Sequence, residues 1–483
     1  MTQPVTQPQR DREIVTASHD LDVSPALTAF MRQGWAEPAA AHAEPADVAP
    51  YASKRRAMVS AAFPGRPIVV ASGTPKTRNN DVPYPFRASS SFVWLTGSAT
   101  PEAVLVMTPE SGTHSATLFT RPSASRDESE EFYRDRIHGS LWTGPRPTLP
   151  EVSATLGLPT RPLDELDEVL ASLPAPLVLR GYDPVVDGLI APGPDDETLA
   201  VALDDLRLVK DDFEIAQLAI AADASVRGFA DVVRELATAK LTSERWIEGT
   251  FWRRARVEGN DVGYGSIAAA GEHACVLHWT LNDGPVRDGD LLLLDAGVEA
   301  RSLYTADVTR TLPVSGHFSP AQRRVYDLVY EAQEAALAQV RPGATFHDYW
   351  RAAQGVLAKG LVAWGILPPS AADLDGDDGD LHRRYTLHGT GHMLGLDVHD
   401  CAVARKENYH DGALEVGHVL TVEPGLYFQT DDLTVPAELR GIGVRIEDDV
   451  VVTEDGYRNL TAALPREASA VEEWMASLTA KDV

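Results

Sequence analysis

The residues most suited to chemistry lie in one histidine- and glycine-rich stretch in the C-terminal half of the chain. It runs from Leu387 to Asp400 and reads LHGTGHMLGLDVHD, with histidines at positions 388, 392 and 399. Histidines four residues apart often share one helix face, but Gly389 and Gly391 lie between the first two, and glycines disfavour a helix. The stretch therefore predicts a backbone that packs closely around something small.

Four acidic residues stand next to apolar runs that have the character of buried strands. They are Asp295 in DLLLLDAGV, Asp307 in DVTRTLPV, Glu423 after LTV, and Glu447 in IGVRIEDDVVVT. Burying a carboxylate costs several kcal/mol unless a cation or hydrogen-bond donors compensate its charge. A salt bridge or a strand-end hydrogen bond would account for any one of them, but the whole set predicts a cation site.

Carboxylates combined with an imidazole form a hard, oxygen-rich ligand set. Such a set suits Mn²⁺, Co²⁺, Zn²⁺ or Mg²⁺ better than a metal that prefers thiolates. Four carboxylates also exceed what one ion requires. Two divalent ions about 3.5–4 Å apart, bridged by carboxylates and a water molecule, would satisfy all of them.

The elements that must position these residues fall into two groups. Short apolar or β-branched runs predict five strands mixed with helices in the first half, which indicates an α/β domain; they are residues 67–73, 93–97, 103–109, 116–121 and 176–181. In the second half, an apolar stripe beginning at Ile215 and helix starts at Ser319 and Thr345 predict three helices. Strands over 290–298, 307–314, 418–423 and 442–453 predict an antiparallel sheet covered by those helices.

These patterns give a domain organisation with a boundary just before Asp205. We predict a partly loose N-terminal extension over residues 1–50 and a first domain over 51–204. A second domain, which carries the candidate cation site, follows over 205–470, and a C-terminal tail over 471–483.

Composition limits the function classes. The chain has 483 residues, with 43 basic and 71 acidic side chains and a formal net charge of −28. That charge repels nucleic acids and anionic lipids, and no apolar run approaches the roughly 18 residues needed to span a bilayer. The N-terminus lacks the apolar core of a secretory signal, and Cys275 and Cys401 are the only cysteines. We expect a cytoplasmic protein with no nucleic-acid or membrane partner.

Four quoted motifs together resemble one enzyme family. DAGVEARSLYTADVTRTLPVSG, LHGTGHMLGLDVHD, LTVEPGLYF and GVRIEDDVVVT resemble the metal-binding motifs of the aminopeptidase P and prolidase branch of the pita-bread metallopeptidases. TRNNDVPYPFRASSSFVWLTGSATPEAVLV resembles the signature of the aminopeptidase P N-terminal domain. The resemblance covers roughly residues 51–465 and implies an α/β N-terminal domain plus an α+β pita-bread catalytic domain with a curved antiparallel sheet.

The resemblance also implies a role for each site residue. Asp307 and Glu447 would bridge two metal ions, Asp295 would complete one site, and His392 and Glu423 the other, with Mn²⁺ as the expected ion. The non-ligand residues of the active site would be His278, His388, His399 and Arg445. The interval from Asp295 to Asp307 is one residue longer than is common in this branch, which a longer hairpin loop would absorb.

The implied activity is that of an Xaa-Pro aminopeptidase. A hydroxide bridging two metals would attack the carbonyl before a trans-proline in the second position of a peptide, with Glu423 handling the proton. His278 and His399 would donate hydrogen bonds to the substrate. Proline has no N–H, so its ring shape must be recognised instead. The implied assembly is a homodimer or homotetramer.

Three other functions stay open on the sequence alone. A prolidase shares the five ligands but cleaves dipeptides, and the N-terminal signature favours the aminopeptidase. A non-catalytic pita-bread binding module would typically lack the ligands that are present here. A methionine aminopeptidase would need no N-terminal domain of this kind.

Overall fold

The chain divides into two units, Met1–Leu203 and Asp204–Val483, in a computed structural model that describes residues 21–36, 43–80, 82–126 and 129–480. The predicted N-terminal extension therefore lies partly outside the described residues. Within it, a short helix begins at Pro25 after the cap Ser24, whose hydroxyl accepts from the Leu27 N–H.

The first unit is built on a five-stranded mixed sheet. Its helices are α1 (Pro25–Met31), α2 (Ala49–Ala62), α3 (Ser90–Thr96), α4 (Glu131–Arg134), α5 (Ser140–Thr143), α6 (Leu149–Leu156), α7 (Leu166–Ser172), α8 (Pro184–Leu189) and α9 (Asp196–Arg207), the last of which crosses the boundary. Its strands are β1 (Ile68–Ala71), β2 (Thr77–Asn79), β3 (Val82–Pro83), β4 (Val104–Glu110), β5 (Thr113–Thr120), β6 (Thr160–Pro162) and β7 (Leu177–Leu179). The sheet order is β6-β5-β4-β1-β7, with β4 antiparallel to both its neighbours and the two outer pairs parallel.

One strand prediction in this unit is wrong. Residues 93–96 lie in α3, and Gly97 ends that helix in the left-handed conformation, with φ +73°. Every residue of α3 is buried, so the segment lacks the polar face that would mark a helical period. The capping pattern is the signal that sequence analysis missed, because Ser89 accepts from the Phe92 N–H at the helix start.

The second unit combines long helices with short antiparallel strands. Its helices are α10 (Asp212–Ala239), α11 (Glu244–Glu258), α12 (Pro320–Leu337), α13 (Phe346–Ala363) and α14 (Ala468–Thr479). Its strands are β8 (Asp261–Val262), β9 (Ile267–Ala270), β10 (Leu291–Asp295), β11 (Val298–Glu299), β12 (Thr309–Pro313), β13 (Val419–Val422), β14 (Gly425–Tyr427), β15 (Gly443–Arg445), β16 (Asp448–Thr453) and β17 (Gly456–Asn459). The principal sheets have the orders β12-β10-β9 and β13-β16-β17, and all their pairs are antiparallel.

Two helices of this unit begin at the caps that the sequence predicts. Ser319 and Gln322 form a reciprocal capping box at α12, and Thr345 and Asp348 form another at α13. Their apolar faces pack in one large core with α10, α11 and the strands. The helices thereby fix the strands whose ends carry the acidic residues.

Two details of the strands differ from the sequence prediction. The predicted strand over 442–453 is two strands, because β15 and β16 are separated by Ile446 and Glu447. The longer interval between Asp295 and Asp307 forms a hairpin in which Leu303 adopts φ +70° and donates to the Ala300 carbonyl. A tight turn at the tip of the hairpin therefore takes up the length of the interval.

The predicted C-terminal tail lies largely within α14. Val471 and Met475 of this helix are buried in the core of the second unit. Across the described residues, no helix is both long and apolar enough to cross a bilayer.

Candidate metal centre

Four strand ends place the four predicted acids at one cavity. Asp295 is the last residue of β10, Glu423 directly follows β13, and Glu447 directly precedes β16. Asp307 lies two residues before β12, which pairs with β10 so that Asp295 faces Thr309. Thr309 accepts from the Glu447 N–H over 3.1 Å and donates its hydroxyl to Glu447 Oε2 over 2.7 Å. The two sheets are thus joined where their acids meet.

His392 is delivered by a loop that runs alongside β13. Its N–H donates to Thr421 Oγ1 over 3.1 Å, and its carbonyl accepts from the Thr421 N–H over 2.9 Å. This contact requires the preceding glycine, because a Cβ on Gly391 would lie 2.0 Å from the Thr421 carbonyl oxygen. The segment from His388 to His392 is not helical, as its glycines predict. They allow the close approach of two backbones.

The orientation of the His392 ring leaves Nε2 facing the acids. Nδ1 lies 3.1 Å from the Met393 carbonyl oxygen, and Nε2 lies 3.3 Å from Asp307 Oδ2 and 3.6 Å from Glu423 Oε1. A backbone acceptor at one nitrogen selects the tautomer whose other nitrogen has a free lone pair. His392 is therefore oriented as a metal ligand would be.

Three of the five predicted ligands form a tight group. One ligand atom each from Asp307, His392 and Glu447 lies within 4.8 Å of the others. Asp295 and Glu423 line the same cavity of about 500 Å³. The donor set is thus brought together, with Asp295 and Glu423 outside the tightest triangle.

The electrostatics of the cavity fit divalent cations. Burial, reinforced by the other acids, raises the pKa of Glu447 well above its ordinary value, and burial raises the pKa of Glu423 to about 7. Burial also raises the pKa of Asp295, against the opposing charge of Arg445. Burial disfavours the His392 imidazolium, but the hydrogen bond to Asp307 and the charge of Glu423 outweigh it and raise its pKa to about 9. Once His392 is deprotonated, as a metal ligand must be, the four acids face only the Arg445 guanidinium, and divalent ions would neutralise the remaining negative charge.

Arg445 connects the acids to a second histidine. Its guanidinium donates to Asp295 Oδ2 over 2.5 Å and to Tyr427 Oη over 2.8 Å. Tyr427 Oη lies 2.8 Å from His388 Nε2. Since arginine only donates, the Tyr427 hydroxyl keeps its own proton for His388. Burial and the charge of Arg445 lower the pKa of His388 to about 3, so this histidine is neutral at neutral pH.

A second tyrosine joins two of the acids directly. Tyr264 Oη lies 2.6 Å from Asp295 Oδ1 and 2.5 Å from Asp307 Oδ1. Burial and the charges of these acids raise the pKa of Tyr264 well above its ordinary value. Sequence analysis missed both tyrosines. Tyr427 lies inside the quoted motif LTVEPGLYF, whereas nothing around Tyr264 marks it.

The remaining predicted histidines border the same cavity. His399 packs edge-on against His392, with ring centroids 4.3 Å apart, and burial lowers its pKa. His278 lies on the exposed rim of the cavity, on the loop that follows β9. All nine residues predicted from the sequence therefore line one cavity of the second unit.

Comparisons with known proteins agree with this arrangement. Residues 51–177 match the family described as "Aminopeptidase P, N-terminal domain", and residues 216–454 match "Metallopeptidase family M24". The chain is 56% identical over 460 residues to Xaa-Pro aminopeptidase 2 of Streptomyces coelicolor, which covers 94% of this chain and 97% of that one. It is 34% identical over 450 residues to the Xaa-Pro aminopeptidase of Escherichia coli, with 87% and 96% covered.

A solved structure is also similar. The zinc-substituted aminopeptidase P of Escherichia coli in complex with product aligns with a TM-score of 0.78 and 31% identity, covering 89% of this chain and 99% of that one. The predicted family, fold class and enzyme class are confirmed. Membership of a metallopeptidase family also implies divalent metal ions at the cavity. The chain belongs to metallopeptidase family M24 and, within it, to the Xaa-Pro aminopeptidases.

Proposed function

We propose that this protein removes the N-terminal residue from peptides whose second residue is a trans-proline, with two divalent metal ions at the cavity. The observation that carries the proposal is the convergence of four acids and His392 on one cavity, in a chain 56% identical to an Xaa-Pro aminopeptidase. Asp307 and Glu447 would be shared by the two ions. Asp295 would complete one site, and His392 with Glu423 the other.

The bound ions would acidify the attacking water and polarise the substrate carbonyl. Glu423 would hold the proton taken from that water and pass it to the leaving proline nitrogen. Its position supports this role, since its carboxylate lies 3.6 Å from His392 Nε2 and 3.7 Å from His388 Nδ1, inside the cavity.

The histidines would handle the substrate. His278 and His399 come from different segments of the chain and line the same cavity. There they would donate hydrogen bonds to the substrate carbonyl oxygen and to the tetrahedral intermediate that forms from it. His388 would be held neutral against Tyr427, and Arg445 would orient Asp295.

Recognition of proline would rest on shape. The proline nitrogen carries no hydrogen, so the site can bind it only through the ring. Apolar side chains of Ile267, Leu277 and Val398 line the same cavity and offer a surface for that ring. A pocket shaped to this ring would accept the trans form, which is the prevailing form of X–Pro bonds.

The direct test compares an Xaa-Pro-Yaa tripeptide with the matching Xaa-Pro dipeptide and with an Xaa-Ala-Yaa tripeptide. We expect release of the first residue from Xaa-Pro-Yaa, loss of activity after chelation, and its return with Mn²⁺. Cleavage of the dipeptide alone would make the protein a prolidase. A purified protein that contains no metal and stays inactive with Mn²⁺ would indicate a non-catalytic module.

We propose manganese as the native ion, with cobalt and zinc as ions that the same hard ligand set accepts. Metal analysis of protein purified without added metal would test this. A higher content of zinc than of manganese in active protein would contradict it.

We also propose a cytoplasmic homodimer or homotetramer. Both cysteines are buried and free, which suits a reducing compartment. The first unit exposes large apolar side chains, Val82, Tyr84, Leu141 and Trp142, of the kind that subunit contacts cover. A solution mass equal to that of one chain would contradict the oligomer.

A further inference from the structure

A buried carboxylate outside the cavity accepts four hydrogen bonds from one loop. Glu244, the first residue of α11, has no solvent exposure. Its Oε1 accepts from the Ala270 N–H and from His273 Nδ1, both over 2.8 Å. Its Oε2 accepts from Trp279 Nε1 over 2.8 Å and from the Gly284 N–H over 2.7 Å. Both oxygens are thereby fully used.

The four donors close a single loop. Ala270 ends β9 and Gly284 lies fourteen residues later, so one carboxylate holds the two ends of this loop together. The Glu244 N–H also donates to the Gly284 carbonyl over 3.0 Å. The carboxylate therefore fixes the span of the loop as well as its position.

Inside the loop, two aromatic rings complete the arrangement. His273 and Trp279 are stacked with centroids 3.9 Å apart and an interplanar angle of 24°. A Cβ on Gly284 would lie 2.3 Å from the His273 ring, so the chain must return past this ring at a glycine. Trp279 thus points to Glu244, on the side away from the cavity.

The cavity side of the same loop carries His278. Leu277, His278 and Thr280 line the cavity. Trp279, which lies between His278 and Thr280 in the chain, instead donates its indole N–H to Glu244. His278 itself lies on an exposed rim, and the Thr280 N–H donates to its carbonyl over 3.0 Å. An exposed side chain can be placed accurately only if its backbone is fixed.

We propose that Glu244 is a positioning residue that acts through His278, by fixing the loop over 270–284 at the rim of the cavity. The proposal rests on the substrate-handling role of His278 proposed above. Replacing Glu244 by glutamine puts an NH₂ group where an oxygen accepts two N–H groups. At least one backbone N–H of the loop then faces an NH₂ group instead of an oxygen, because the amide donors at Ala270 and Gly284 lie on different oxygens, and the loop is released on one side.

The test measures kcat and KM of metal-loaded protein on an Xaa-Pro-Yaa substrate. We expect Glu244→Gln to lower kcat by about 10- to 100-fold, the effect of displacing a reacting group by around 1 Å, with metal content unchanged. The matched control is Glu272→Gln, an exposed acid within the same loop, which should keep wild-type values.

A double-mutant cycle separates positioning from general damage. If Glu244 acts through His278, Glu244→Gln should cost far less in a His278→Ala background than in the wild type. Equal losses in both backgrounds, or a Glu244→Gln enzyme as active as Glu272→Gln, would overturn the proposal. An inactive wild type would instead contradict the proposed function.

A milder variant keeps the test decisive if Glu244→Gln fails to fold. Trp279→Phe retains the stacked ring but removes one of the four donors. We expect a smaller loss of kcat that also disappears in the His278→Ala background. Wild-type kcat in Trp279→Phe, combined with an unfolded Glu244→Gln, would assign Glu244 to stability alone and overturn the proposal.

Discussion

Arg445 Nη2 lies 2.5 Å from Asp295 Oδ2, and both side chains are buried at the cavity. The same guanidinium reaches Tyr427 through Nη1 and Thr309 through Nε. The planar guanidinium has several N–H donors in fixed directions, so it can bind a carboxylate, a phenol and a hydroxyl at once. A lysine ammonium on a flexible side chain cannot reproduce that geometry. Arg445 therefore orients one predicted ligand and, through Tyr427, one predicted substrate-binding histidine.

The first prediction concerns this fork. Arg445→Lys should lower metal affinity or kcat by about 10- to 100-fold, the usual effect of removing a group that orients a ligand. Titration of metal-free protein with Mn²⁺, followed by activity, measures it. Arg458→Lys, on an exposed strand, is the matched control and should behave as wild type. Equal Mn²⁺ affinity and kcat in Arg445→Lys and the control would contradict the prediction.

A second prediction concerns Tyr264, which bridges Asp295 and Asp307. Tyr264→Phe keeps the ring but removes the donor, so the two carboxylates lose their common partner. We expect about a tenfold weaker Mn²⁺ affinity, because groups behind the ligands commonly have effects of this size. The control is Tyr457→Phe, whose ring is partly exposed. Unchanged affinity in Tyr264→Phe would show that the hydroxyl does not orient the ligands.

A third prediction concerns the stability of metal-free protein as a function of pH. The pKa of Glu423 rises from an ordinary 4.5 to about 7 in the fold, and that of His392 rises from 6.5 to about 9. Both groups bind their proton more tightly when folded, so each contributes stability at low pH that is lost as pH rises through its folded pKa. Metal-free protein should therefore lose stability between about pH 4.5 and 9.

Calorimetry of chelated and Mn²⁺-loaded protein across this range measures the effect. Metal binding requires deprotonated ligands and strengthens as pH rises, so the Tm difference between the two forms should widen toward pH 9. Glu423→Gln should flatten the lower part of the metal-free profile. A metal-free Tm that rises from pH 5 to pH 9 would contradict the assigned directions.

The five predicted ligands could be proposed from the sequence because they stand in motifs with a local signature and a family resemblance. Asp295 and Glu423 end apolar runs, and His392 follows Gly391, where a Cβ would lie 2.0 Å from the Thr421 carbonyl oxygen. Tyr264 and Glu244 have no such signature. Tyr264 follows a two-residue strand, and Glu244 begins an ordinary helix. Their importance arises only when distant segments meet, as when Glu244 accepts from residues 26 to 40 positions away.

Helix α3 shows the corresponding limit for secondary structure. An all-buried segment carries no alternation of apolar and polar residues, so composition alone favoured a strand. Capping residues locate a helix start more reliably than the composition of a buried segment does. The capping boxes at Ser319 and Thr345 predicted the starts of α12 and α13 correctly.

The last prediction concerns a buried ion network that holds the loop carrying His392 and His399. Asp400 contacts both Arg207 and Lys210, with Lys210 Nζ 2.8 Å from its Oδ2. The Asp400 N–H also donates to the Met393 carbonyl over 3.0 Å, which closes the turn that sets the two rings against each other. The network therefore links stability to the geometry of the site.

Lys210→Met should lower the free energy of unfolding by up to about 3–5 kcal/mol, because Asp400 then keeps only Arg207 as a cationic partner and its buried charge is only partly compensated. Denaturant unfolding of metal-loaded protein measures it. Arg405→Met removes the ion pair with Asp205, where the arginine is 64% exposed, and should cost no more than about 1 kcal/mol. Equally small losses of unfolding free energy in both variants would contradict this prediction. They would mean that Arg207 alone compensates Asp400, and Arg207→Met would then give the larger loss of unfolding free energy.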